Sequence, residues 1–193
     1  MEGLSLILLS IIYFYAGYRY VRDILASTTA PAIGTWIVFV CATLLNVLSV
    51  FSVTSWEFVS NAYSLGDFLM CVIILGSLLK RSTIKLERFE RIYLIVAGII
   101  VCFWVFSKNA FATNLLVQTL ILVGYFPTLH KLIHTKENHE SFTNWTLFLL
   151  AGAIAFYPAY QHGNVLAMIY SVRTIFIISF MLFLMKKYTK KTI

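Results

Sequence analysis

Charge is scarce in this chain. Asp, Glu, Lys and Arg make up 12% of its 193 residues, while 60% are hydrophobic. Soluble domains carry about 25% charged and about 45–50% apolar residues. A soluble fold of this length has no core large enough to hide so much apolar surface, so lipid is the expected solvent. The first apolar stretch, GLSLILLSIIYFYAGY, lacks the basic leader and small-residue cleavage site of a secretory signal, and Glu2 is its only early charge. It reads as a retained helix. Cys41, Cys71 and Cys102 lie inside apolar runs, where cysteine acts as a small buried hydrophobe, so no disulfide framework is implied.

Other absences narrow the function. No histidine pair lies inside an apolar run, which argues against haem, and no lysine lies midway along the last run, which argues against a retinal Schiff base. His130 and His134 are spaced i,i+4 with His139 beyond. They fall in a basic stretch without a convergent third ligand, so a solvated loop is favoured over a metal site. No Ser-His-Asp arrangement or phosphate-cradling pattern is present, and no paired nucleophile and base suggests an enzyme. No cofactor and no metal are expected.

What is there is a series of long apolar runs. A membrane-spanning helix needs about 20 predominantly apolar residues. Seven runs qualify, at 3–22, 33–53, 57–79, 90–107, 111–132, 143–160 and 164–186. Seven spans place 13 of the 15 Lys and Arg on one side, leaving Lys108 opposite and Arg173 inside the last run. The positive-inside rule then sets the N-terminus outside and the C-terminus in the cytoplasm. The basic loops, with a net charge of +7, are read as meeting anionic lipid headgroups, not nucleic acid.

The spans also repeat. AYSLGDFLMCVIILGSLLKR (62–81) lies over IYSVRTIFIISFMLFLMKKY (169–188), with Tyr-Ser, a long apolar run and paired basic residues in each. Gly17-Tyr18 lies over Gly124-Tyr125, Trp36 over Trp145 and Phe39 over Phe148. Spans 1–3 therefore recur as spans 5–7. The fourth restores the direction of the second triplet, which makes the halves parallel about an axis along the membrane normal. The expected organisation is an all-α membrane protein: a first three-helix repeat at 1–79, a linker helix with its loops at 80–110, and a second repeat with a basic tail at 111–193.

This 3+1+3 plan resembles the SWEET and PQ-loop superfamily of seven-helix membrane proteins. GYRYVRDILASTTAPAIGTW and GYFPTLHKL look most like a group of uncharacterised bacterial SWEET-like proteins. The resemblance covers nearly the whole chain. It implies a transporter of a small polar solute in a membrane such as the bacterial inner membrane, working by alternating access between the halves. It implies as the alternative a receptor of the KDEL-receptor kind that reads a peptide end in the same cavity. The family's Pro-Gln dipeptide falls near the cytoplasmic ends of spans 1 and 5. Here those places hold Tyr20-Val21 and Pro127-Thr128. Only Pro127 can act as the hinge, by freeing a carbonyl and letting its helix bend.

Two midspan charges stand out. An ion at mid-bilayer costs about 2.5–3.5 kcal/mol on insertion scales. Asp67 is about ten residues into span 3 and Arg173 about ten into span 7, where Thr174 holds the register of Asp67. Opposite charges at equal depth can offset each other's desolvation. They are read either as a static salt bridge between the halves or as the lining of a substrate cavity. In the second reading Asp67 is a proton-coupling group and Arg173 a bidentate contact for a carboxylate.

Softer candidates surround them. Tyr63 and Tyr170 lie four and three residues before the charges, on the same helix faces, and supply the cavity or fill the core. Asn46, Asn61, Asn114, Gln118 and Asn164 are polar at depth and glue helices together by the ordinary reading. The family resemblance places asparagines of spans 3 and 7, here Asn61 and Asn164, at the pocket. Trp36 and Trp145 are expected to be interfacial anchors. The oligomeric state, a homo-oligomer included, is not legible.

Overall fold

The computed structural model describes residues 2–29, 31, 33–53, 58–80, 88–138 and 140–188. Arg81, Lys85, His139, Lys190 and Lys191, which entered the charge pattern and the histidine cluster, lie outside them. The described residues form helices joined by short turns, with no strand among them. In chain order these are α1 (Glu2–Leu25), α2 (Ile33–Val53), α3 (Phe58–Leu79), α4 (Arg88–Ser107), α5 (Ala110–Gly124), α6 (Phe126–Thr135), α7 (Phe142–Gln161) and α8 (Val165–Tyr188).

Four helical stretches are long and apolar enough to cross a membrane: Gly3–Leu25, Asn61–Leu79, Phe142–Gln161 and Val165–Tyr188. Thr35–Phe51, Leu94–Ser107 and Phe111–Gly124 are apolar but shorter. These helices mark an integral membrane protein. The exterior agrees: Phe14, Phe106 and Phe176 are 83%, 86% and 73% exposed, while Asn46, Asn61 and Asn114 are fully buried. Apolar surface outside and polar groups inside is the arrangement that lipid as solvent favours.

The expected unbroken helix at 111–132 is divided. Asn109 caps α5 by accepting from the Ala112 amide at 3.0 Å, and α5 stops at Gly124. Proline cannot donate to the carbonyl four residues earlier. Pro127 therefore leaves Val123 without its helical partner, and the helix restarts as α6 around it. The place expected to be a hinge is thus a break between two helices.

The other helices pack through small residues. Ala151, Gly152, Ala155 and Ala159 form a buried stripe on α7, and small residues let neighbouring helices approach closely. That helix packs on α8, α1 and α3. In the rest of the fold, α2 packs on α3 and α5, α1 on α3, and α8 on α5, α6 and α3. The remaining helix, α4, rests against α5 and α2 at the outside.

Candidate functional site

The polar interior surrounds a small cavity. Thr43 of α2, Tyr63, Asp67 and Cys71 of α3, Tyr125 at the break and Thr174 of α8 contribute to its wall. Its volume is about 30 Å³. A water needs about 10–15 Å³ by this measure, whereas small-molecule pockets run to about 300–1,000 Å³. The chamber therefore has room for a water or two and is closed to a solute.

Asp67 and Arg173 approach this centre from α3 and α8, but they do not pair. Among the described residues the ion pair is Arg22 with Asp23 at 3.4 Å. The static salt bridge expected as one alternative does not form, because Tyr170 stands between its members. The phenol of Tyr170 donates to Asp67 Oδ2, and the Arg173 guanidinium carbon lies 4.5 Å from the centre of the same ring. A ring face attracts a cation and a phenolic hydrogen satisfies a carboxylate, so one side chain holds both charges. Tyr63 packs edge-on against Tyr170, with ring centroids 5.2 Å apart, so the repeated Tyr-Ser pairs meet face to edge.

Arg173 is also held from α5. Its Nε donates to Gln118 Oε1 at 2.9 Å, while its buried Nη1 has no partner. Gln118 Nε2 donates to Asn46 Oδ1 at 2.7 Å, and Asn114 Nδ2 donates to Asn46 Oδ1 at 3.0 Å and to Ser49 Oγ at 3.1 Å. Asn46 thus ties α2 to α5 and does not reach the cavity wall. Asn164 Nδ2 donates to Asn61 Oδ1 at 2.9 Å, which joins the starts of α3 and α8 although the two positions do not match in the repeat. Of the proposed site residues, Asp67 and Tyr63 line the cavity. Tyr170 and Arg173 support them, and the three asparagines join helices.

The end of the cavity nearest the α1–α2 turn is closed by aromatic rings. Tyr20 lies 5.4 Å from Trp36, Trp36 5.7 Å from Phe39, and Phe39 5.2 Å from Tyr125. Tyr125 lies 5.8 Å from Trp145, Trp145 5.8 Å from Phe148, and Phe148 6.5 Å from Tyr20. The six rings form a closed circuit contributed by α1, α2, the α5–α6 break and α7. One expectation changes here. Trp36 and Trp145 are 5% and 4% exposed, so they are core residues and not lipid-facing anchors. Tyr18, laid over Tyr125 by the repeat, is 61% exposed. The α1 ring that takes part is Tyr20, two positions on and on another face of the helix.

Glu140, in the turn before α7, closes this end further. Its Oε2 accepts from the Tyr20 hydroxyl at 3.1 Å and from Trp145 Nε1 at 3.3 Å. Beside it Asn144 Nδ2 donates to Asp23 Oδ2 at 3.4 Å. Sequence reading missed Tyr20, Asp23 and Glu140 as a group, because nothing in composition or spacing brings two residues near the end of α1 to an acid 117 or more positions later.

Among the described residues no group of three or more His, Cys, Asp or Glu converges to hold a metal. No family model, curated protein or solved structure matches the chain.

Proposed function

We propose that the chain is a seven-span transporter of the SWEET and PQ-loop kind, moving a small polar solute between two three-helix halves. The pairing of helices supports the two halves. In one, α1 and α2 pack on α3; in the other, α5, α6 and α7 pack on α8. Across them, α1 meets α7 as α2 meets α5, and α3 meets α8. Exchanging the halves maps α1 with α7 onto α5 with α2 and returns α3 with α8 to itself, which fits a twofold axis along the membrane normal, while the packing of α3 on α7 has no counterpart of like extent between α8 and α2. The outlying α4 is then the linker that restores direction.

The observation that carries the functional reading is Asp67 on the wall of a buried cavity, hydrogen-bonded to a tyrosine that also carries a guanidinium. Ionisable groups at membrane depth mark pathways or proton relays. In this reading the present conformation is occluded. Rocking one half against the other at the Pro127 break opens the ring circuit toward the cytoplasm, and parting Tyr63 from Tyr170 opens the other side. Asp67 carries the coupling proton, and the unpartnered Arg173 Nη1 takes an anionic or carbonyl oxygen of the solute. The Lys and Arg distribution supports an N-terminus outside and a C-terminus in the cytoplasm of a bacterial inner membrane.

The same unpartnered donor favours one second reading, a receptor that recognises a terminal carboxylate without moving it. Flux separates the two. The protein is reconstituted in vesicles and offered labelled sugars, amino acids, carboxylates and vitamin precursors, chosen by a thermal-shift screen. A transporter accumulates a binder and loses accumulation with Arg173→Gln. A binder that shifts melting but never crosses supports the receptor.

A further inference from the structure

Away from the cavity, α4 and α5 leave a groove of about 560 Å³ on the outer surface. Its walls are apolar, with Ile92, Val96, Ile99 and Phe103 from α4 facing Leu116 and Leu120 from α5. Ile92, Ile99 and Leu116 are 50%, 62% and 41% exposed, so none of the described helices covers it. The α4 residues recur at i, i+4, i+7 and i+11, which places them on one face. Arg88 lies one turn before Ile92 on that face, with Arg91 three residues on from it, and both are exposed.

The length of the groove is informative. Eleven residues from Ile92 to Phe103 span about 16 Å at about 1.5 Å per residue. Half of a hydrocarbon core about 30 Å thick is nearly the same distance. The groove thus matches one leaflet, with two guanidinium groups at the end where α4 begins. The opposite end is followed, past the end of α4, by Lys108 alone. Guanidinium forks suit phosphate oxygens.

We propose that this groove binds one anionic glycerophospholipid of the leaflet in which α4 begins, its acyl chain along the α4–α5 groove and its phosphate on Arg88 and Arg91. The site rests on the membrane placement of α4 and not on transport, so uptake is not its readout. The bound lipid would cover the face that α4 leaves open and hold the linker helix against α5.

The test is native mass spectrometry of the full chain released from bilayers of equal phosphatidylglycerol and phosphatidylcholine with matched acyl chains. The expected result is one retained phosphatidylglycerol per chain, preferred over phosphatidylcholine by roughly tenfold or more, since each basic residue near the surface adds attraction for anionic lipid. Replacing both arginines (Arg88→Gln with Arg91→Gln) should bring the ratio near one. If that pair prevents folding, Arg88→Gln alone should lower the preference severalfold. Val96→Trp should fill the groove and expel the lipid with both arginines intact, and Ile95→Trp, off the groove, should change nothing. Parity between the lipids in the unaltered protein would overturn the proposal, as would a preference that survives loss of the arginines. So would a Val96→Trp variant that keeps its lipid, or one whose change is from dimer to monomer, which would give the groove to a second copy of the chain.

Discussion

Tyr170 of α8 donates its phenolic hydrogen to the carboxylate of Asp67 on α3. The hydroxyl of one helix thereby satisfies the acid of the other, and Arg173, three residues further along α8, rests on the face of the same ring. Asp67 and Arg173 are coupled through an aromatic intermediary instead of by contact.

Removing the hydroxyl of that intermediary has a defined cost. Tyr170→Phe keeps the ring under Arg173 and deprives Asp67 of its donor. Leaving a buried polar group unsatisfied costs about 1–3 kcal/mol, read as a lower melting temperature in detergent. A melting temperature equal to that of the unaltered protein would show that the hydrogen bond contributes nothing.

Charge reversal tests the same arrangement differently. A direct salt bridge predicts that Asp67→Arg combined with Arg173→Asp regains the stability lost by each single change. Here the carboxylate takes the hydroxyl and the guanidinium the ring face, and these are not interchangeable. The double variant should stay as unstable as the single ones, and recovery would reinstate the direct pair.

If Asp67 carries the coupling proton, uptake by the unaltered protein should rise when the outside is more acidic than the inside. With Asp67→Asn uptake should no longer respond to the gradient, while the protein stays folded. A response that persists in Asp67→Asn removes this residue from coupling.

Glu140 should act as a latch on the aromatic circuit. Glu140→Ala leaves the Tyr20 hydroxyl and Trp145 Nε1 without their acceptor, at about 1–3 kcal/mol. It should also raise the rate at which Cys71 on the cavity wall reacts with a thiol reagent added from that side. Lower stability with an unchanged rate would make Glu140 structural only.

Gly124 at the end of α5 packs closely against Phe39 of α2. A Cβ there would stand 2.5 Å from Phe39 Cε1, so Gly124→Ala should destabilise by about 1–3 kcal/mol through overpacking and spread the circuit. At Gly76 nothing lies within 4 Å, so Gly76→Ala should be neutral or slightly stabilising. Equal effects at both would deny the close packing.

Much of this was legible from composition and periodicity. Long apolar runs give helices whatever their neighbours, and the expected ends fall within about three residues of those observed, as at Ile33–Val53 for α2 and Arg88–Ser107 for α4. The break before Pro127 was not: the run at 111–132 reads as one span with a hinge, and the missing N–H divides it into α5 and α6. Partnership was harder to read. The depth of Asp67 and Arg173 follows from counting residues, but whether they touch depends on helix rotation, and a tyrosine fills the gap. Trp36 and Trp145 show the same limit: tryptophan near a helix start suits an interface or a core, and only the opposing rings decide. Glu140 was invisible because its partners lie 120 and 5 residues away.

The central claim is that the chamber beside Asp67 opens in turn to each side of the membrane, and Cys71 offers a reporter that needs no knowledge of the solute. With Cys41→Ser and Cys102→Ser, Cys71 is the only thiol left. A membrane-impermeant methanethiosulfonate reagent is then added to oriented vesicles from one face or the other. The account predicts reaction from both faces. Reaction from neither face, or from one alone, would contradict it.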